Sequence, residues 1–281
     1  MPNSQLNAPL LLERYQPEQL IGRGGSASVY RARDLLLGRD VAVKIFLGGV
    51  DTELERAREE LRLLAQLSHH GIVAVLDAGI DRSDASDPRP FLVMELMRGD
   101  DVRHLITEGQ LPIDMIGGIA FEVAEALEYI HRRGVIHRDI SPSNIVLVDY
   151  GSSDSRARAR LTDFGIAIQS GWTPPSSNLA EGTAAYLSPE QARSYRLTTA
   201  TDIYSLGLVL LECFTGVRAF QGDAVAAAMA RIEHDPEIPK SVPRAWRALL
   251  GRMTRREPAE RPTAAEVMEE VRQILRASPR R

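Results

Sequence analysis

Only one cysteine, Cys213, occurs among the 281 residues. No disulfide can form within the chain, a reducing compartment is the natural setting, and the apolar neighbours of Cys213 mark it as a small buried hydrophobe and not a nucleophile. An excess of positive charge is also missing: 34 lysines and arginines face 38 aspartates and glutamates, for a formal net charge of -4. A protein that binds phosphate backbones concentrates basic residues, so no nucleic-acid partner is expected, and the basic end from Arg276 to Arg281 reads as a solvated tail. Long apolar runs are absent. The longest, Ile203 to Leu211, falls well short of the ~20 residues that a helical membrane span requires. Met1 to Gln5 has neither the basic start nor the apolar core of a secretory signal, so no membrane segment and a cytoplasmic location are expected.

What is present suits a folded protein, with 44% hydrophobic and 26% charged residues over a length sufficient for one large or two-lobed domain. Residues 15–21, 28–32 and 40–46 alternate as sheet strands do. Gly48-Gly49 breaks that pattern. A helix is expected to start at Asp51 or Thr52, either able to cap it, with Leu54, Ala57, Leu61, Leu64 and Ser68 at three-four spacing. Residues 72–76 and 91–95 read as two further strands, separated by a polar loop over 81–90. Past Gly99 the pattern turns helical, at 114–133, 200–214, 224–232, 243–254 and 264–277. Two short strands, 144–148 and 160–162, interrupt it around a Ser/Asp/Arg-rich loop. No internal repeat is visible. The expectation is an α+β fold: five strands and one long helix within residues 1–97, a mainly helical part over 98–281, a hinge from Glu95 to Gly99, and a ligand in the cleft beside it.

Three stretches carry the chemistry. Gly22-Arg23-Gly24-Gly25-Ser26-Ala27 is a glycine-rich turn between two strands, an arrangement that suits a lid whose backbone amides close over phosphates; a flexible hairpin is the plainer reading. In Val41-Ala42-Val43-Lys44-Ile45, alternation puts Val41, Val43 and Ile45 on one face and Ala42 with Lys44 on the other, under that turn. Of two carboxylates on the following helix, Glu60 lies on the buried edge and Glu59 further round. Glu60 is therefore the better partner for Lys44, with a surface pair to Arg56 as its alternative. The most specific signal is His137-Arg138-Asp139-Ile140-Ser141-Pro142-Ser143-Asn144, followed by Asp163-Phe164-Gly165. It sets a carboxylate, a carboxamide and a second carboxylate at a spacing suited to metal-dependent phosphoryl transfer.

This motif set resembles the catalytic core of protein kinases. Gly182-Thr183-Ala184-Ala185-Tyr186-Leu187-Ser188-Pro189-Glu190 closely resembles the bacterial eukaryotic-like, or Hanks-type, serine/threonine class. The resemblance covers most of the chain and implies the bilobal kinase fold, ATP and Mg²⁺ as cofactors with Mn²⁺ as an alternative metal, and protein substrates. It implies that Lys44, oriented by Glu60, meets the α- and β-phosphates, that Asn144 and Asp163 hold the metal, and that Asp139 accepts or orients the substrate hydroxyl proton. Further nucleotide contacts are implied for Ile21, Gly22, Gly24, Val29, Ala42, Met94, Glu95, Met97, Ser143 and Val146, with the backbone of Glu95 and Met97 meeting adenine. His137 is implied to be structural, packed under Phe164 with Leu64 and Val75. Glu190 and Arg261 are implied to form a buried ion pair, and Asp202 to anchor the loop around Asp139.

Regulation is implied at Arg138, as the bidentate partner of a phosphate, at Thr173, Ser176 and Ser177 as acceptors in the activation segment, and at Thr183, which shapes the substrate platform. Ser177 best matches the main site by register. Homodimerisation through the strand lobe is the further partner mode that the resemblance admits. Ser141 departs from the pattern, since most serine/threonine kinases place a lysine there, and loss of one such electrostatic contact is worth about 3 kcal/mol, about a hundredfold in rate. Two other readings therefore stand beside a working protein kinase. One is a nucleotide-binding scaffold, motivated by Ser141 and Ala27; the other is a small-molecule phosphotransferase of related fold, against which the platform at 183–190 argues.

Overall fold

The computed structural model describes residues 10–23, 27–46, 65–83, 88–149, 157–163 and 184–277. The described residues divide into two compact units. The first takes those up to His69 together with Val73–Met97, and the second takes His70–Ile72 and those from Arg98 onward.

In the first unit five strands, β1 (Tyr15–Arg23), β2 (Ala27–Asp34), β3 (Arg39–Phe46), β4 (Val75–Asp81) and β5 (Arg89–Glu95), form an antiparallel sheet in the order β1-β2-β3-β5-β4. Alternate residues of the central strands face one way. Val41, Val43, Phe91 and Val93 pack there with Leu11, Tyr15 and Ala32, and Ile45 and Leu76 flank them. Register then dictates the opposite face. Val29 lies across from Lys44, Lys44 from Leu92, and Ala42 from Met94, so Val29, Ala42, Lys44, Leu92 and Met94 share it.

The β2–β3 turn closes at Gly38, whose φ of 63° favours glycine and whose amide donates to the Asp34 carbonyl at 2.8 Å. The Asp34 carboxylate accepts from the amides of Leu36 (3.2 Å) and Leu37 (3.1 Å) and takes a two-pronged bond from Arg14, both contacts at 2.8 Å. The Arg14 bond, aided by those amides, holds the Asp34 carboxyl well below the ordinary carboxylate range. A carboxyl depressed on folding contributes stability above its unfolded value, and that contribution is lost as pH falls through the folded one. Denaturant midpoints of the wild type should therefore decline as the pH drops below about 4. Asp34→Asn should start from a lower midpoint and decline less; parallel pH profiles for the two proteins would contradict this.

The apolar run from Ile72 is divided, which corrects the expected strand at 72–76. Ile72 pairs with Leu161 within the second unit, the Ala74 amide donates to the Glu95 side chain at 2.7 Å, and β4 begins only at Val75. β4 runs on to Asp81 and β5 starts at Arg89, so the expected loop over 81–90 is shorter at both ends. Ser68 lies past the end of the helical turn at Ala65, and the helix expected from 51, with Glu59 and Glu60, falls outside the described residues.

The second unit contains α1 (Val102–Glu108), α2 (Ile113–His131), α3 (Pro189–Ala192), α4 (Ala200–Thr215), α5 (Ala224–Glu233), α6 (Arg244–Met253) and α7 (Ala264–Ala277). A three-stranded sheet of β6 (Gly99–Asp101), β7 (Ile145–Val148) and β8 (Arg158–Leu161) completes it. Every residue of α4 from Thr201 to Phe214 is buried, as expected of a helix that other elements surround on all sides. Gly207 admits the end of α6, because a Cβ there would sit 2.8 Å from Thr254 Cγ2 and 3.0 Å from Met253 Cβ. The long helices end within two residues of their expected bounds.

Three elements were not expected. β6 contains no strand-forming residue and exists through pairing with β7, so close that a Cβ on Gly99 would lie 2.0 Å from the Leu147 carbonyl oxygen. α1 is too short to show a period, and Asp101 caps it by accepting from the His104 amide at 2.8 Å. α3 is a single turn. Among the described residues no helix is long and apolar enough to cross a membrane.

Candidate functional site

The loop between α2 and β7 carries residues 137–144, and Asp202 in the first turn of α4 fixes its start. One carboxylate oxygen accepts from the His137 amide at 2.9 Å and from His131 Nε2 at 2.8 Å, and the other accepts from the Arg138 amide at 2.8 Å. Gln191 of α3 donates its Nε2 to the Arg138 carbonyl at 2.9 Å. Clamped on both peptide groups, Arg138 holds a φ of 67°, a left-handed conformation that costs a non-glycine residue about 1 kcal/mol. Pro142 then opens a 3₁₀ turn, Pro142–Asn144, in which the Asn144 amide donates to the Ser141 carbonyl at 3.0 Å.

This turn aims Asn144 back at Asp139. Its carboxamide donates to the Asp139 carbonyl at 2.8 Å and to Asp139 Oδ2 at 2.9 Å. With the amide hydrogens so directed, the carboxamide oxygen is what Asn144 offers to a cation. The Thr162 amide donates to the Asn144 carbonyl at 2.9 Å, which brings the next residue, Asp163, alongside with a φ of 50°. An amide oxygen and a carboxylate on adjoining backbone form a hard donor set that fits Mg²⁺ or Mn²⁺.

His137 is fully buried. Burial pulls its imidazole below the ordinary value, against Asp202 and Asp139, so the ring is neutral at pH 7. Its Nε2 donates to the Thr162 carbonyl at 3.1 Å and its Nδ1 accepts from the Asp139 amide at 3.4 Å. The ring is a strut between the residue before Asp163 and Asp139 itself, with no nitrogen left to act as a base. Of its expected neighbours, Leu64 and Phe164 lie outside the described residues.

In the first unit, Ile21 and Gly22 end β1 beside the glycine turn, and Ile21 is 48% exposed. A Cβ on Gly22 would meet only Val29 among the described residues, at an ordinary 3.7 Å, so packing does not require glycine there. Lys44 Nζ stands 5.5 Å from the centroid of the Phe46 ring. Met94 is buried at the end of β5, the Glu95 side chain is held on the Ala74 amide, and Met97 follows outside any strand. In the second unit Ser143 is exposed within the 3₁₀ turn, and Val146 alone of the four β7 residues is not fully buried. Gly24, Glu60, Thr173, Ser176, Ser177 and Thr183 lie outside the described residues.

Beyond those positions, the structure brings in residues that sequence reasoning passed over. Residues 184–187 run into α3 with each of their carbonyls taken by a side chain. Arg231 Nη1 donates to Ala184 (2.8 Å) and Leu187 (2.6 Å), its Nη2 donates to Ala185 (3.2 Å), and Ser205 Oγ donates to Tyr186 (2.8 Å). The Tyr186 hydroxyl donates to Glu212, which Arg103 also meets at 2.6 Å, and burial with this carboxylate pushes the phenol up. Ser188 and Gln191 then form a capping box, the Gln191 amide donating to Ser188 Oγ at 3.3 Å and the Ser188 amide to Gln191 Oε1 at 2.9 Å. The S-x-x-Q spacing was a readable signal. Arg231 showed only as a lone cation four residues after Ala227 on an apolar stripe.

The pair of Glu190 and Arg261 is present. Arg261 donates to the two carboxylate oxygens at 2.7 and 2.8 Å, and Thr201 Oγ1 adds a bond at 2.8 Å. Burial works to raise the Glu190 carboxyl, but Arg261 outweighs it and holds the group below its ordinary value.

The sequence profile of the protein kinase domain matches residues 15–271. The chain is 37% identical over 240 residues to the serine/threonine-protein kinase PknB of Mycobacterium leprae, an alignment covering 83% of this chain and 37% of that protein. It is 36% identical over 267 residues to the serine/threonine-protein kinase PknL of Mycobacterium tuberculosis (91% and 64%), and 39% identical over 255 residues to a probable serine/threonine-protein kinase PknB of Bifidobacterium longum (85% and 36%). The chain thus spans between 36% and 64% of the length of these relatives.

Proposed function

Since this chain belongs to the protein kinase family, a family that uses ATP and a divalent metal, we propose that it transfers the γ-phosphate of ATP to serine and threonine hydroxyls of proteins. The observation that carries this reading is the Asn144 carboxamide bonded to both the carbonyl and the carboxylate of Asp139. One side chain thereby ties a proton acceptor to an oxygen donor for a metal, within a loop that Asp202 and Gln191 hold in a strained form.

Asp139 accepts or orients the proton of the acceptor hydroxyl, whose oxygen attacks the γ-phosphorus. The bond from that phosphorus to the β–γ bridging oxygen breaks, and ADP leaves. Asn144 and Asp163 are the residues that hold the metal; when bound, Mg²⁺ supplies charge neutralisation at the phosphates, with Mn²⁺ as its substitute. Lys44, oriented by Glu60, takes the α- and β-phosphates. Gly22, Gly24, Ile21, Val29, Ala42 and Met94, the backbone of Glu95 and Met97, and Ser143 with Val146 receive the rest of the nucleotide. The glycine at 22, which no packing among the described residues demands, supports a role in close approach to a ligand. Regulation in this reading is autophosphorylation at Ser177, with Thr173 and Ser176 as further acceptors, read out through Arg138 and the segment from Thr183 onward.

No observation favours the scaffold reading, and each relative named above carries a serine/threonine kinase name. The same proposal places the protein in the cytoplasm, with homodimerisation through the first unit as its partner mode. Phosphoamino-acid analysis of a basic protein acceptor incubated with the enzyme and Mg-ATP tests the proposal. Label on serine and threonine is expected. Label on an aminoglycoside or another small alcohol, with none on protein, would favour the small-molecule phosphotransferase instead.

A further inference from the structure

Arg231 is wholly enclosed, yet its guanidinium makes all four of its hydrogen bonds to main-chain carbonyls: Nε to Ala227 at 2.9 Å within α5, and the remaining three to Ala184, Ala185 and Leu187. The ring of Phe220 lies 5.5 Å from the guanidinium carbon. Among the described residues no carboxylate pairs with this cation. A buried charge without a counter-ion is costly, and here only main-chain carbonyls compensate it. What the guanidinium offers that an apolar residue does not is a rigid fork of donors, able to draw three carbonyls of a four-residue stretch toward one point.

The fourth carbonyl, on Tyr186, is taken by Ser205, and the Tyr186 side chain is fixed by Glu212 and Arg103. The stretch 184–187 is therefore held by side chains from α1, α4 and α5. It leads directly into Ser188 and α3, whose Gln191 holds the Arg138 carbonyl next to Asp139. Arg231 is thus connected by an unbroken series of bonds to the residue that receives the acceptor's proton.

We infer that Arg231 is a positioning residue for the protein acceptor: it moulds residues 184–187 into the seat on which the acceptor peptide lies. The inference rests on the kinase reading above. Its loss loosens the seat, so affinity for the acceptor falls while the nucleotide, which uses other residues, is held as before.

Steady-state kinetics with a basic acceptor peptide and Mg-ATP test this, with urea denaturation to verify folding. Arg231→Met should raise KM for the peptide about tenfold or more while KM for ATP stays within about twofold. Arg231→Lys, which keeps the charge but not the fork, should recover part of the loss, and Ser205→Ala, which removes only the donor to Tyr186, should shift peptide KM in the same direction by less. If Arg231→Met does not fold, the other two variants carry the same readout. A folded variant set with unchanged peptide KM, or with both KM values raised alike, would overturn the inference. Absence of phosphate transfer by the wild type would instead overturn the kinase reading on which it rests.

Discussion

Asp139→Asn should reduce phosphate transfer by about a thousandfold or more while ATP is still bound, since loss of a positioned acid–base group removes on the order of 10²–10⁴ in rate. The substitution is nearly isosteric. The carboxamide oxygen at 139 can still accept from Asn144 Nδ2, as the carboxylate does now at 2.9 Å, and the Asp139 carbonyl keeps its own bond from the same group at 2.8 Å. What disappears is the capacity to take a proton. Initial rates with a protein acceptor, alongside calorimetric titration of Mg-ATP, separate the two effects. Transfer unaltered by the substitution would remove Asp139 from the mechanism, and lost nucleotide binding would show that the loop had collapsed.

The second large effect is on stability. Arg261→Met should destabilise the second unit by about 3–5 kcal/mol, the usual consequence of leaving one member of a buried pair uncompensated. Glu190 would retain only Thr201 as a side-chain donor, and the carbonyls of Ala200, Arg255 and Arg256, which Arg261 now meets at 2.7–2.9 Å, would lose theirs. Much of that penalty is the stranded carboxylate. Glu190→Leu combined with Arg261→Met should therefore cost less than the two single changes added together, a non-additivity that urea denaturation of all four proteins measures. A single-variant loss below about 1 kcal/mol would place the pair among ordinary surface ion pairs. Because α3 also carries Gln191, Arg261→Met should weaken the clamp on Arg138 and slow transfer as well.

How much of this was legible in the sequence depended on how far apart the cooperating residues lie. Asp139 and Asn144 are five residues apart, and chemistry and local geometry act on them together, so the run announces its use. Alternation alone puts Val41 and Val43 on one face and Lys44 on the other, and the register bears that out. The bonds from Arg103 to Glu212 and from Arg231 to Ala184 join residues 109 and 47 positions apart. No period or spacing encodes such contacts. β6 escaped notice for a related reason: Gly99 and its two aspartates pair because β7 lies beside them, not because they favour a strand. Residues 72–76 misled because their apolar character serves two units at once, Ile72 on β8 and Val75 onward in β4.

In the proposed mechanism, Ser141 bears on rate and not on class. It is buried at the head of the 3₁₀ turn in an extended conformation, and the bonds that tie Asn144 to Asp139 and Arg138 to Asp202 and Gln191 form without any help from its side chain. In the proposed mechanism, absence of a cation there removes one electrostatic contact and leaves Asp139, Asn144 and Asp163 in place.

The measurement that bears most directly on this account is the initial rate of γ-phosphate transfer from ATP to a basic protein acceptor by the purified wild type, with and without Mg²⁺. Transfer that chelation abolishes is the expected result. A folded wild type that binds Mg-ATP and transfers no phosphate to protein would contradict it.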